Sequence, residues 1–288
     1  MLIKRTITTL VLAVIGIPVI ILGGPYYFVL ITFFLAVAAW EYGHMFDKAG
    51  CKIPGSLLIG SVVLIAVVRE LLMDPNPAVA ALRINFPPEL AAAALTLTVF
   101  AAMTWHLIDY EKGCDHAASD FAVTTAGIVY IGWIGTYLID LRNMPGGLWW
   151  LAIVLPTIWL TDMGAYFVGS RLGKHPLSRR ISPKKSWEGY VGGALAGTLT
   201  AAGLTLLWQW HGLGGPAIAW WQGAALGAAL SALSILGDLG ESMFKRQAGV
   251  KDASNFFPGH GGVLDRIDSW IWGAALGYFF ITWFLLIR

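Results

Sequence analysis

Charge is what this chain has least of. Asp, Glu, Lys and Arg make up only 12% of its 288 residues, against roughly 25% in soluble domains. Polar faces recurring at helical period are also missing, which excludes a soluble all-α protein. Cysteine is scarce: Cys51 and Cys114 are the only two. They provide no disulfide framework, and both fall at helix ends expected on the cytoplasmic side, where thiols stay reduced. No low-complexity linker, soluble domain or convincing internal repeat is found, which counts against an inverted-repeat transporter. The net charge of +2 says little by itself, and no nucleic-acid partner is expected.

What the chain has in quantity is apolar sequence, with 57% hydrophobic residues and a mean hydropathy of +0.68. Long apolar runs recur along its length, each close to the roughly 20 residues a helix needs to cross the hydrocarbon core. The expected fold class is therefore all-α, a polytopic integral membrane protein. About nine transmembrane helices are expected, near 7–23, 25–43, 53–73, 89–108, 118–139, 147–169, 189–210, 217–237 and 268–287. Gly23-Gly24-Pro25, Asp74-Pro75-Asn76-Pro77, Pro87-Pro88 and the stretch from Gly212 to Pro216 mark the breaks. Lys4 and Arg5 before an apolar run resemble a signal peptide, but the run continues to Ile21 and a second follows at once, so a retained first helix is expected.

Orientation follows from the bias of Lys and Arg toward the cytoplasm. Nine spans with the N-terminus cytoplasmic put all of the 19 Lys and Arg inside except Arg69, Arg83, Arg142 and Arg288. The first five spans, residues 1–145, are chemically quiet. Residues 146–288 hold almost all the unusual polarity, in two cytoplasmic loops.

The first polar loop runs from Thr161 to Gly189, where Arg171, Lys174, Arg179, Arg180, Lys184 and Lys185 face a single acid at the far end, Glu188. Such a basic segment beside a membrane attracts lipid headgroups or a polyphosphate, although positive-inside topology alone also accounts for it. Asp162 at the inner end of span six is costly unless paired, hydrated or bound to metal. Gly164, Gly169 and Gly173 let backbone or ligand come close. The second loop, Asp238 to Asp268, packs Asp238, Asp252, Asp265 and Asp268 with Lys245, Arg246, Lys251, Arg266 and His260. Asp238 and Glu241, like Asp265 and Asp268, are three apart and share helix faces. Hard carboxylate oxygens of this kind suit Mg²⁺, which one or two carboxylates plus substrate phosphates hold. Plainer accounts exist for parts of it. Glu241 with Lys245 fits a helix-surface ion pair, Asp268 fits a cap on span nine, and a loop histidine is ordinarily solvated. Glu41, His44 and Asp47 fit routine interfacial positions. Gly192, Gly193, Gly197, Gly223 and Gly227 fit close helix packing.

Ser242, Lys245 and Arg246, then Lys251 and Asp252, then Pro258-Gly259-His260-Gly261-Gly262, then Asp265, Arg266 and Asp268 together resemble the signature of the phosphatidate cytidylyltransferases, the CDP-diacylglycerol synthases. Every fixed position of that pattern is matched. Asp162 and Tyr166, with Ile181 to Gly189, are similar to the family's upstream segment. The resemblance is sharp from about residue 160 onward. It implies transfer of a cytidylyl group from CTP to phosphatidic acid with Mg²⁺ required, giving CDP-diacylglycerol and pyrophosphate. It also implies a second cation, K⁺, at the carboxylate site, a homodimer, and a bacterial inner membrane location with the active site toward the cytoplasm. The residues expected in catalysis are Asp238, Asp265, Asp268, Lys251 and His260, with Asp238 and Asp265 as metal ligands. Ser182, Lys184, Lys185, Ser242, Lys245, Arg246, Arg266, Asp162 and Tyr166 are expected at substrate. The alternatives are another CTP-dependent lipid enzyme, such as a polyprenol kinase or an archaeal-lipid cytidylyltransferase, and an ion or anion transporter. Against the last, spans seven and nine carry no charge in their middles.

Overall fold

The structure, a computed structural model, describes residues 13–77, 86, 87, 89–210, 215, 217–257 and 261–286. Seven helical segments among them are long and apolar enough to cross a membrane: Gly24–Lys48, Gly55–Met73, Leu90–Glu111, Ala117–Asn143, Gly147–Leu172, Trp187–Trp210 and Trp220–Gln247. Of the other two expected spans, the first lies partly outside the described residues and includes the short apolar helix Ala13–Leu22. The last is a helix, Leu264–Phe280, that runs into a π-helical turn, Ile281–Leu285. The protein is a polytopic helical membrane protein.

In chain order the helices are α1 (Ala13–Leu22), α2 (Gly24–Lys48), α3 (Gly55–Met73), α4 (Leu90–Glu111), α5 (Ala117–Gly127), α6 (Tyr137–Asn143), α7 (Gly147–Leu172), α8 (Trp187–Trp210), α9 (Trp220–Leu233), α10 (Ile235–Gln247) and α11 (Leu264–Phe280). A π-helical stretch, Ile128–Ile134, lies between α5 and α6. One antiparallel ribbon, β1 (Pro176–Ser178) with β2 (Ser182–Ser186), interrupts the helices in the basic loop. The expectation of helices and loops alone did not foresee it.

The chain divides into two compact units, Met1–Asn143 with Lys245–Ile267, and Met144–Phe244 with Asp268–Arg288. In the first unit α1 and α2 meet at Gly23 and Gly24, both with positive φ (65° and 52°), and Pro25 follows at the start of α2. Glycine adopts that backbone without a Cβ penalty and proline suits a first helical turn. The Arg142 guanidinium donates to the carbonyls of Ile20 (2.9 Å) and Ile21 (3.1 Å), completing the end of α1. Tyr27, Leu35, Tyr42, Leu58, Ile65 and Ile131 fill the core. Arg69, expected at the outer side of span three, is buried inside this unit. It pairs with Asp140, and its guanidinium lies 4.1 Å from the ring centres of both Trp133 and Tyr137. A charge taken out of water needs such a partner, and the aromatic faces add cation–π attraction.

In the second unit α7, α8 and α9 pack closely through small residues. A methyl group added at Gly189 would stand 2.8 Å from the Ala165 carbonyl oxygen, and one at Gly193 would stand 2.8 Å from that of Thr161. Gly197 faces Thr161 and Ser231, and Gly223 and Gly227 face Thr205 and Ala201. This is the small-residue packing expected of these glycines, and it lets helix backbones approach within the membrane. Gly164 and Gly169 belong to the same contact, opposite Gly192, Gly193 and Gly189. Thr161 and Ser231 join hydroxyls at 2.9 Å inside it, so these two buried groups satisfy each other.

Candidate active site

In the second unit, the ribbon carries the basic side chains. The carboxylate of Glu188, in the first turn of α8, accepts from the backbone amides of Lys174 (3.1 Å) and His175 (3.3 Å) and meets His175 Nδ1 at 2.6 Å. The two ends of the ribbon are thereby tied together. Ser186 Oγ accepts from the Gly189 amide at 3.1 Å and completes the start of α8. β2 leaves Lys184 exposed, while Lys185 is half-buried and reaches the carboxylate of Asp238.

Asp238 was expected to end span eight. Instead the helix breaks at Ser234, and Asp238 lies in the first turn of the new helix α10, where the helix dipole favours an acid. Its carboxylate also accepts from Ser242 Oγ at 3.3 Å, one turn along the same helix. Asp162, exposed on α7, is within electrostatic reach of both Asp238 and Lys185. Two acids and a lysine therefore share one neighbourhood, and the Asp238 side chain keeps 34% of its surface open. Tyr166, expected at substrate, is 71% exposed on α7, with its ring edge-on to Phe167.

The first unit contains a tighter arrangement. Lys245 Nζ lies 2.6 Å from Asp265 Oδ1, with the two side chains only 15% and 6% exposed. Asp265 Oδ2 accepts from the backbone amides of Ala253 (2.9 Å) and Gly262 (2.8 Å). Lys245 was expected at substrate, and its ammonium reaches Asp265. Lys251, Arg246 and Arg266 are exposed. Asp268, assigned to the second unit, is buried in α11 and accepts from the Ser269 amide at 2.7 Å. It does not cap the helix, which begins earlier, at Leu264. His260 lies outside the described residues.

Among the described residues no group of three or more His, Cys, Asp or Glu side chains forms a ready metal cage. Mg²⁺ is held by one or two carboxylates with phosphates completing its shell, and Asp238 with Asp162 nearby fits that requirement. Asp265 fits less directly, because one of its oxygens meets a lysine and the other accepts from two amides.

Residues 3–284 match the cytidylyltransferase family. The chain belongs to that family. It is 36% identical to a phosphatidate cytidylyltransferase of Pseudomonas aeruginosa, over 93% of each chain. Identity to the enzyme of that name from Synechocystis is 31%, over 97% of this chain and 96% of the other. For that of Staphylococcus saprophyticus it is 32%, over 93% and 94%.

One residue of this cytidylyltransferase-family chain escaped sequence reasoning. Glu41 had been set aside as a routine interfacial acid. It is completely buried, and its carboxylate accepts from Ser254 Oγ and from the amides of Val263 (2.9 Å) and Leu264 (2.7 Å). The available signal was an acid more than one turn inside the polar end of an apolar helix, and nothing local points to partners more than 200 positions on.

Proposed function

We propose that this chain transfers the cytidylyl group of CTP to phosphatidate at the cytoplasmic face of a bacterial inner membrane, giving CDP-diacylglycerol and pyrophosphate. The observation that carries the proposal is near-full-length similarity to three proteins named phosphatidate cytidylyltransferase, together with lysine–carboxylate pairs at Lys185–Asp238 and Lys245–Asp265. CTP is a soluble polyanion and the lipid phosphate is fixed in the bilayer, so a site at the inner interface suits both. The chemistry is an in-line displacement. A phosphatidate oxygen forms a bond to the α-phosphorus of CTP while the bond from that phosphorus to the bridging oxygen of the β-phosphate breaks, and pyrophosphate leaves with the electron pair. No enzyme nucleophile is required.

Two anions must be brought together, so cations decide the rate. Lys185 and Lys245 are held by carboxylates and are assigned to the phosphates. Ser182, Lys184 and Ser242 are assigned to the nucleotide beside Lys185, and Arg246, Lys251 and Arg266 to phosphate oxygens. Tyr166 and Asp268 are assigned to substrate positioning, and His260 to orienting a phosphate. Asp238 with Asp162, and Asp265 through the oxygen that faces Lys245, would hold Mg²⁺. The bound ion would neutralise phosphate charge and stabilise the departing pyrophosphate. A second cation, K⁺, and a homodimer are expected of the same enzyme.

The test is incubation of the purified protein with CTP, phosphatidate and Mg²⁺ in detergent. CDP-diacylglycerol and pyrophosphate are the expected products. Release of CDP with a phosphorylated lipid would instead identify a kinase acting on the γ-phosphate.

A further inference from the structure

The carboxylate of Glu41 projects from α2, in the chemically quiet half of the chain, yet every hydrogen bond described for it goes to the segment bearing the family signature. Oε1 accepts from Ser254 Oγ and the Val263 amide, and Oε2 accepts from the Leu264 amide. Val263 and Leu264 stand at the opening of α11, whose first amides have no partner within the helix. A carboxylate there satisfies two of them and meets the positive end of the helix dipole. The fit is close on the other side too: a methyl group at Gly262 would stand 2.7 Å from both carboxylate oxygens. The next residues are Asp265, which holds Lys245, and Arg266.

We propose that Glu41 is a positioning residue for the cytidylyl transfer, fixing the opening of α11 and through it Asp265 and Arg266. Only a carboxylate suits the position. Glutamine offers one acceptor oxygen, and its amide nitrogen would turn a donor toward a backbone donor, leaving a buried amide unmatched. Aspartate keeps both oxygens but is one methylene shorter.

The inference rests on the proposed activity, so wild-type enzyme making CDP-diacylglycerol is the reference throughout. Folded Glu41→Gln, monodisperse in detergent, is expected to lose at least about 20-fold in kcat, with a smaller change in KM for CTP. Amide exchange at Val263 and Leu264 should accelerate. Glu41→Asp should recover at least about fivefold over Glu41→Gln, and Ser254→Ala should cost about two- to fivefold. A merely structural carboxylate would lower the melting temperature and leave kcat of the folded enzyme unchanged. Folded Glu41→Gln with kcat within twofold of wild type overturns the inference. If Glu41→Gln does not fold, Gly262→Ala decides. A loss of kcat comparable to that expected for Glu41→Gln supports the inference, and wild-type kcat overturns it. An inert wild type overturns the proposed activity and this inference with it, whereas an active wild type with an indifferent Glu41 overturns this inference alone.

Discussion

Asp265 and Asp238 carry the same functional group, and each is paired with a lysine, but the first unit and the second unit use them differently. Asp265 is almost fully enclosed and spends one oxygen on Lys245 and the other on two backbone amides. Asp238 is one-third open, and its described partners, Lys185 and Ser242, are both side chains that can swing away. A carboxylate bound to backbone organises the chain around it. One bound only to side chains can release them to a metal or a phosphate at little conformational cost. The difference teaches that spacing within a motif identifies the acids of a site but does not sort the organising acid from the exchangeable one.

The largest effect is expected from Asp265→Asn, because it strikes both chemistry and architecture. Whichever way the new amide turns, its nitrogen faces a donor: either the Lys245 ammonium or the amides of Ala253 and Gly262. A buried ion pair is broken and buried donors are left unmatched, which costs about 2–4 kcal/mol. Turnover should fall by about 10³-fold or more and the melting temperature should drop with it, read by product formation and thermal unfolding in detergent. Wild-type activity across Mg²⁺ concentrations would remove Asp265 from the site.

Asp238→Asn should separate the two readouts. The position is partly open to water and the Ser242 hydroxyl can reverse its role from donor to acceptor, so stability should change by less than about 1 kcal/mol. Activity should fall by about 10²–10³-fold, the scale of losing one electrostatic group in a transition state, and the Mg²⁺ concentration giving half-maximal rate should rise. If Asp238→Asn destabilises the protein as much as Asp265→Asn, the contrast between the two carboxylates is wrong.

Much of this was legible in the sequence because the membrane makes the same demand everywhere. Each of the seven helices had to be long and apolar, and the recurring glycines of α8 and α9 are the residues that let membrane helices pack closely. The signature residues were legible because they are clustered. What sequence could not show was partnership across distance. Arg69 counted only as an exterior cation, since nothing near it announces Asp140. Glu41 counted as an interfacial acid, since Val263 is 222 positions away. The break at Ser234, which moves Asp238 from the end of one helix to the start of another, leaves no proline or glycine to mark it. The ribbon at 176–186 is too short for alternation to stand out from a run of lysines, arginines and serines.

Within the second unit the comparison can be sharpened at adjacent residues. Lys185→Ala should cost about 10²-fold, since it removes the cation held by Asp238 and leaves that acid without its lysine. The loss should persist at high salt, because a contact at hydrogen-bond distance is poorly screened.

Lys184 gives the smallest expected effect and the finest test. It neighbours Lys185 on β2 but is exposed where Lys185 is half-buried and paired with Asp238. If its contribution is the field it adds to the basic ribbon, Lys184→Ala should raise KM for CTP about two- to fivefold at low ionic strength and leave kcat untouched. The Debye length shrinks from about 10 Å at 0.1 M salt to about 3 Å at 1 M, so at the higher concentration the mutant and wild type should converge. Lys185→Ala should not converge with wild type under the same conditions. A Lys184→Ala defect as deep as that of Lys185→Ala, and equally resistant to salt, would mean that Lys184 touches the nucleotide directly. The ribbon would then have to present both lysines to substrate, although Lys184 is exposed and Lys185 is half-buried against Asp238.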